Sequence, residues 1–425
     1  MRIAIIGGGL AGLTAALELT KHGEKVTVFE KDVTLGGLAN GFSSGSWGWK
    51  LEKTYHHFFT NDHAIIRLAK KLGLKRDIMI LSPTTSVYWN KKQHPFDTPL
   101  NILKFPGLPF AGRVRTGATA ALMKLNPFWK PLEHVTAKKL FQIINGKTAW
   151  QRIWEPLLDA KFGPYADKVA ASWLWARLYK RTPRLGYFVG GFPHFVEVLA
   201  DAIQKKGGTI LTHTDISQIK KTKTEFLVNG QRFDAILFTV PSPIAAKIGG
   251  FDTAYTKKLF AIPHLWAQTL ILETKKPILE KTYWLNVNDR SFPFLAVVSH
   301  TNMIDKKHYG DRHITYIGNY LPDGHAFISK SEEELLALFL PYLKKITPNF
   351  KKSDITNMFL FTVPNAQPVH TCNYSKRAPS IITPYKHMYL ANLDSVYPWD
   401  RGTNYAVDLG TRAAKIILQN ESLAL

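Results

Sequence analysis

The chain has 425 residues, 45% of them apolar, which suits a large folded core and excludes a disordered polypeptide. Its single cysteine, Cys372, excludes an intrachain disulfide and fits a reducing compartment, and no apolar run reaches the roughly 18 residues of a membrane-spanning helix. Fifty-five Lys and Arg against 32 Asp and Glu give a formal charge of +23, which favours an anionic bilayer or a phosphorylated substrate; no nucleic acid is expected, because no recognised binding motif accompanies the charge.

In chain order, Arg2–Ile6 predicts a short buried strand. Gly7, Gly9 and Gly12 follow at GxGxxG spacing and open a helix over Leu10–His22, stopped by Gly23. That spacing permits a tight turn, a close backbone approach to a pyrophosphate and close helix–strand packing. A second strand, Lys25–Phe29, ends on Glu30, eighteen residues after Gly12. A carboxylate there accepts hydrogen bonds from the adenosine ribose hydroxyls and repels a 2′-phosphate, which disfavours NADP. The glycine interruption and the fit to this unit argue against reading the N-terminus as a signal peptide. A further glycine pair, Gly36-Gly37, allows a loop to approach a ligand closely. Asp62 is expected to cap a helix over residues 63–72.

The stretch from Tyr88 to Lys180 reads as mainly helical, broken at Pro127, Pro131, Pro156 and Pro164, and rich in tryptophan. Between Lys91 and Trp150 it carries ten Lys and Arg against Asp97 and Glu133, interleaved with Phe105, Leu108, Phe110, Leu122, Met123, Leu125, Phe128 and Trp129. Such interleaving suits a monotopic membrane surface and equally a helical subdomain with a solvated basic face. From Gly186 the pattern changes to an amphipathic helix near Phe195–Lys206 and short strands, with a hairpin turn at Asn229-Gly230 and a buried strand at Asp234–Val240. Near the end stand Met388–Asp394 and then Arg401-Gly402-Thr403-Asn404-Tyr405 before another helix.

These motifs resemble the FAD-dependent superfamily of amine oxidases, protoporphyrinogen oxidase and phytoene desaturase, and more distantly UDP-galactopyranose mutase. The resemblance implies an α/β chain with a discontinuous Rossmann-like FAD-binding domain (1–80, 186–243 and 355–425). An α+β substrate domain (81–185 and 244–354) would carry the helical, basic subregion. It implies FAD contacts at Gly7, Gly9, Leu10, Ala11, Gly12, Glu30, Lys31, Gly36, Gly37, Leu38, Ile216, Asp394, Thr403, Asn404 and Tyr405. The helix from Thr403 would aim its N-terminus at the flavin, where its dipole favours negative charge on the reduced ring. Leu38 stands where many relatives carry arginine, and Tyr405 where they carry glycine.

His56 lies in a His56–Asp62 segment similar to one of the mutase that carries a histidine near the flavin, and is a candidate for tuning flavin charge or moving a proton. Arg401 is a candidate to pair with a substrate anion, or with Asp394; Tyr397, Trp399 and Asp400 are candidates for lining the channel. No metal site is expected. The expected activity is hydride transfer between flavin N5 and a hydrophobic, membrane-derived isoprenoid or tetrapyrrole. The alternative is a sugar-nucleotide mutase, against which stands the lack of paired arginines to clamp a diphosphate. The protein is expected in the cytoplasm, peripheral on the inner face of the cell membrane, with its oligomeric state open.

Overall fold

The computed structural model describes residues 1–422. Five short strands form an all-parallel sheet in the order Thr209–Leu211, Lys25–Phe29, Arg2–Ile6, Ala235–Phe238, Met388–Leu390. Both faces of this sheet are covered. Ile3 and Ile5 enter one apolar core, while Ala4 and Ile6 enter another with Phe29, Ile236 and Phe238. That explains the unbroken apolar runs in these strands. The strand order reverses at Arg2–Ile6, where open parallel sheets place ligands beyond the strand C-termini.

The helix after the first strand, Leu10–Lys21, is buried along most of its length and packs against the last helix, Thr403–Ser422. Two close approaches fix that packing. A Cβ at Gly12 would lie 2.1 Å from the Gly7 carbonyl oxygen, and one at Gly410 would lie 2.3 Å from the Ala11 carbonyl oxygen. Only glycine fits either contact.

A second, seven-stranded sheet runs Ile355–Pro368, His264–Thr274, His313–Leu321, Ala296–Ser299, Thr282–Val287, Thr84–Trp89, Lys92–Pro95. Its strands are antiparallel except for the Thr282–Val287/Thr84–Trp89 pair. It takes in Ile355–Pro368, which the sequence reading grouped with the nucleotide-binding segments. The tryptophan-rich helices between Pro99 and Lys180 cover one side of it, in a core that joins Trp150, Trp154, Trp173 and Trp175 to Leu265, Ala267, Ala296 and Tyr320. The helical stretch begins at Pro99 rather than Tyr88, because residues 84–89 and 92–95 pair as the last two strands of this sheet. The hairpin at Asn229-Gly230 forms with both turn residues at positive φ, as its right-handed strand twist requires.

Replacing Gly410 by Ala is expected to destabilise the fold by about 2–3 kcal/mol, the usual cost of forcing a methyl into a packed backbone contact. Gly117→Ala is the control. Gly117 sits on the surface helix Phe110–Leu125 with nothing within 4 Å of a built Cβ, so it is expected to stabilise by about 0.5–1 kcal/mol. Thermal unfolding of both variants checks the pair; equal midpoints would refute the close-packing account.

Candidate active site

The C-terminal ends of the parallel strands converge on one edge. The Gly7–Gly9 loop follows the first strand, Glu30 the second, Thr239 the fourth and Asn392–Asp394 the fifth. The Gly36 N–H donates to the Gly8 carbonyl at 2.9 Å, so the two glycine loops lie side by side. Glu30 is buried, and its two oxygens accept the N–H of Gly8 (2.7 Å) and of Asp32 (2.9 Å). Burial raises its pKa, with those amide bonds pulling the other way. Its carboxylate retains acceptor capacity for ribose hydroxyls. Lys31 points outward and is exposed, whereas Ile216 is buried beside Phe29 in the core under the sheet. Leu38 is half-buried and offers its carbonyl to the Thr54 hydroxyl at 3.0 Å.

No side chain caps the N-terminus of helix Leu10–Lys21. At the edge of the crevice Asp394 Oδ2 and Thr403 Oγ1 are buried without a hydrogen-bond partner. A free helix N-terminus and orphaned buried polar atoms fit a phosphate-bearing, hydroxyl-rich cofactor. Asp394 Oδ1 takes His264 Nε2 at 2.7 Å. Arg401 does not pair with Asp394; its guanidinium donates to the Tyr320 hydroxyl and lies 4.9 Å over that ring. Tyr405 stacks on Trp399, with centroids 5.7 Å apart and planes within 5°.

Asn404 has a second task. Its Oδ1 accepts the N–H of Ala64 (2.8 Å) and Ile65 (3.2 Å), and so caps helix His63–Lys71 from the far end of the chain. Asp62, expected to be that cap, instead accepts the Phe59 N–H at 2.8 Å. A side chain 340 residues away displaces the local one.

The strap Lys53–His57 follows a residue, Glu52, that is held on two sides. Glu52 is fully buried, and its carboxylate receives the Tyr187 hydroxyl at 2.8 and 2.9 Å and the Phe192 N–H at 2.7 Å. Its carbonyl accepts from Tyr316 of the seven-stranded sheet at 2.7 Å. Burial lifts the Glu52 carboxyl to about 7, against these hydrogen bonds. His56 Nδ1 lies 2.6 Å from the Thr54 carbonyl, which makes that nitrogen the donor. Burial, helped by Arg401, pulls His56 down to about 4. Burial, with Arg181 adding to it, takes His57 to about 3. Both imidazoles are therefore neutral at physiological pH.

Beyond the strap lies a charged cluster. Asp400 accepts Lys161 Nζ (3.3 Å), Arg177 Nη1 (3.1 Å), Gln367 Nε2 (3.3 Å) and the Arg401 N–H (3.0 Å). Burial would raise Asp400, but Lys161, Arg177 and Arg401 together hold it far below the usual carboxylate range. Burial draws the Lys161 amine down to about 7, with Asp400 opposing.

The chain matches the family model "Flavin containing amine oxidoreductase" over residues 10–418. It belongs to that family. The match makes this flavin containing amine oxidoreductase an FAD-dependent oxidoreductase, as the resemblance implied. A zeta-carotene desaturase of Solanum lycopersicum is 33% identical over 84 residues, which is 20% of this chain and 14% of that protein. A candidate zeta-carotene desaturase of Synechococcus elongatus is 21% identical, with all of both chains covered. A candidate protoporphyrinogen oxidase from Exiguobacterium sp. 255-15 has the same fold, with a TM-score of 0.75 and 17% identity over 98% of this chain and 99% of that one. The sugar-nucleotide mutase alternative finds no support in these comparisons.

Sequence reasoning missed Glu52, Lys161, Arg177 and Tyr320. A signal existed for Lys161, a lone cation between Ala160 and Phe162 on the inward side of helix Glu155–Phe162. A folded-state pKa above the unfolded value of about 4.5 means that Glu52's contribution is full below pH 4.5 and lost as pH rises through 7. Glu52→Gln, neutral throughout, is expected to remove this loss, on the order of 3 kcal/mol. The melting temperature of the variant minus that of the wild type should therefore rise between pH 4.5 and 7.5; a flat difference would refute it.

Proposed function

We propose that this FAD-dependent oxidoreductase transfers hydride between the flavin and a hydrophobic substrate of the isoprenoid or tetrapyrrole class, taken up at an anionic membrane surface. When bound, FAD supplies the hydride-accepting centre. In this reading Gly7, Gly9, Leu10, Ala11 and Gly12 hold the pyrophosphate at the free helix N-terminus, and Glu30 takes the adenosine ribose, with Lys31 at the rim. Gly36, Gly37 and Leu38 close over the cofactor chain, Ile216 meets the adenine, and Asp394 takes the pyrophosphate or ribityl portion. Thr403, Asn404 and Tyr405 open the helix aimed at the flavin ring. Neutral His56 orients that edge through its donor to Thr54, and Arg401 faces the substrate. The names of the desaturase and protoporphyrinogen oxidase relatives support the substrate class.

One observation carries the membrane part. The sixteen-residue helix Phe110–Leu125 is turned inside out. It buries only Thr116, Thr119 and Met123, while Phe110 is 74% exposed and Leu125 80%. Val114 and Leu122 share that outer face, and Leu100, Leu103, Phe128 and Ile143 lie exposed in the same subregion. Among the described residues, eight of the fourteen large exposed apolar side chains thus fall within one stretch that also carries Lys104, Arg113, Arg115, Lys124 and Lys130. Apolar side chains ringed by cations suit insertion at the headgroup level of an anionic bilayer. Among the described residues no helix is long and apolar enough to cross a membrane.

The purified protein is expected to carry FAD, and its visible band to bleach anaerobically on addition of a polyene or a porphyrinogen. No bleaching by either class would refute the substrate reading. Co-sedimentation with vesicles rich in anionic phospholipid is expected at low salt, and to fall at least tenfold in Leu125→Asp/Phe128→Asp with FAD content retained. Undiminished binding of that variant would refute the docking face.

A further inference from the structure

The charge around Asp400 does not balance. Lys161 and Arg177 share that single carboxylate with the Arg401 backbone N–H, and the Arg401 charge acts on it from the Tyr320 ring. Lys161 is 5% exposed in its side chain, and its Nζ lies 4.9 Å over both the Trp173 and the Tyr320 rings. Arg177 lies 5.0 Å over Trp173. At the end of the same helix, Lys180 lies 4.9 Å over Trp399, and the Arg181 guanidinium adds to the field on Arg177 and His57. The acids acting on this second pair are Asp62 toward Lys180 and Asp97 toward Arg181. Asp400 is ion-paired to Lys161 and Arg177, and among the described residues the Arg401 guanidinium has no carboxylate in ion-pair contact; it rests on Tyr320.

Arg181 keeps exposed surface, yet the protein around it desolvates it enough to pull its pKa to about 10. Polar groups without partners border the same cluster. Gln367 Oε1 and both ring nitrogens of His370 are buried and unpaired, and His370 feels the charges of Asp400 and Lys161. Clustered like charges are costly unless an anion joins them, and the neutral His370 imidazole beside them has one ring N–H free to donate to it.

We infer that the substrate of this site presents an oxyanion, a carboxylate or a phosphate, to Arg177 and Arg401, with its apolar body against Trp399 and Tyr405. The same charges repel an alkylammonium group, so this chain does not act on amines although its family is called after them. The inference rests on the proposed function in placing the flavin beside the helix that starts at Thr403.

The test titrates the FAD-loaded enzyme with four probes of one shape: benzoate, phenylphosphonate, neutral benzamide and cationic benzylamine. Benzoate or phenylphosphonate is expected to shift the visible flavin band and to bind at least tenfold more tightly than benzamide; whichever of the two binds better identifies the oxyanion. Benzylamine is expected neither to bind nor to bleach the flavin. Arg177→Gln and Arg401→Gln, each with wild-type FAD content, are expected to weaken the anion at least tenfold and leave benzamide unchanged. Equal binding of benzamide and both anions, bleaching by benzylamine, or undiminished anion affinity in both variants would overturn the inference. If the protein neither carries nor takes up FAD, the proposed function fails. Calorimetric titration of the colourless protein with the same probes then still decides: anion-selective heat upholds the cationic site, and none overturns it.

Discussion

The arrangement turns on the contact between Gly410 and the Ala11 carbonyl, where the last helix crosses the first with no room for a side chain. Backbone-to-backbone approach at that point fixes where the last helix begins. Its first turn, which starts seven residues before that contact, carries Thr403, Asn404 and Tyr405. Asn404 then caps His63–Lys71, which ties the strap before that helix to the same point. Two ends of the sequence and one internal segment thus share a single geometric reference. Close packing transmits this because interiors yield little to small displacements.

Glu52 is the matching link on the other side. Its carboxylate joins the strap to Tyr187 and Phe192, and its carbonyl joins it to Tyr316 of the seven-stranded sheet. A buried acid met by neutral donors is costly to ionise, and the elevated pKa expresses that cost. The gain is placement: the strap after Glu52 is anchored to the seven-stranded sheet, with its histidines desolvated and neutral. Removal from water leaves His56 a hydrogen-bonding group of fixed tautomer, with its Nδ1 proton on the Thr54 carbonyl.

What the sequence disclosed follows from how local its physics is. Strand, glycine turn, helix and terminal acid are consecutive, so Gly7 to Glu30 could be read from spacing, as could the Asn229-Gly230 hairpin. Expectations failed where a distant residue supplied the partner. Asp62 is a sound cap by local rules, yet Asn404 takes the role. Arg401 could be placed near an anion, but its Tyr320 contact depends on a sheet formed later in the chain. Strand Ile355–Pro368 alternates weakly and is half-buried over much of its length, so nothing local marks the sheet it joins. Lys161 and Arg177 lie on helices whose aromatic neighbours read simply as core, and only the fold sets both cations on one carboxylate.

The exposed apolar helix and the cationic cluster are joined by direct packing. Helix Phe110–Leu125 packs against Ala171–Lys180, and Lys124 Nζ donates to the Arg181 carbonyl. The helix that would rest on a bilayer is therefore in direct contact with the one that carries Arg177 and Lys180 inward. Between them runs an aromatic series: Trp175 is 5.3 Å from Trp399, which stacks on Tyr405 at the start of the last helix. Lys180 lies over the Trp399 ring of this series, and Arg177 lies over Trp173. Cations over aromatic rings are stabilised without a carboxylate partner, which is how positive charge persists along an otherwise apolar series. A substrate with an apolar body and an anionic end matches both features of the series; a purely hydrocarbon substrate matches only the first.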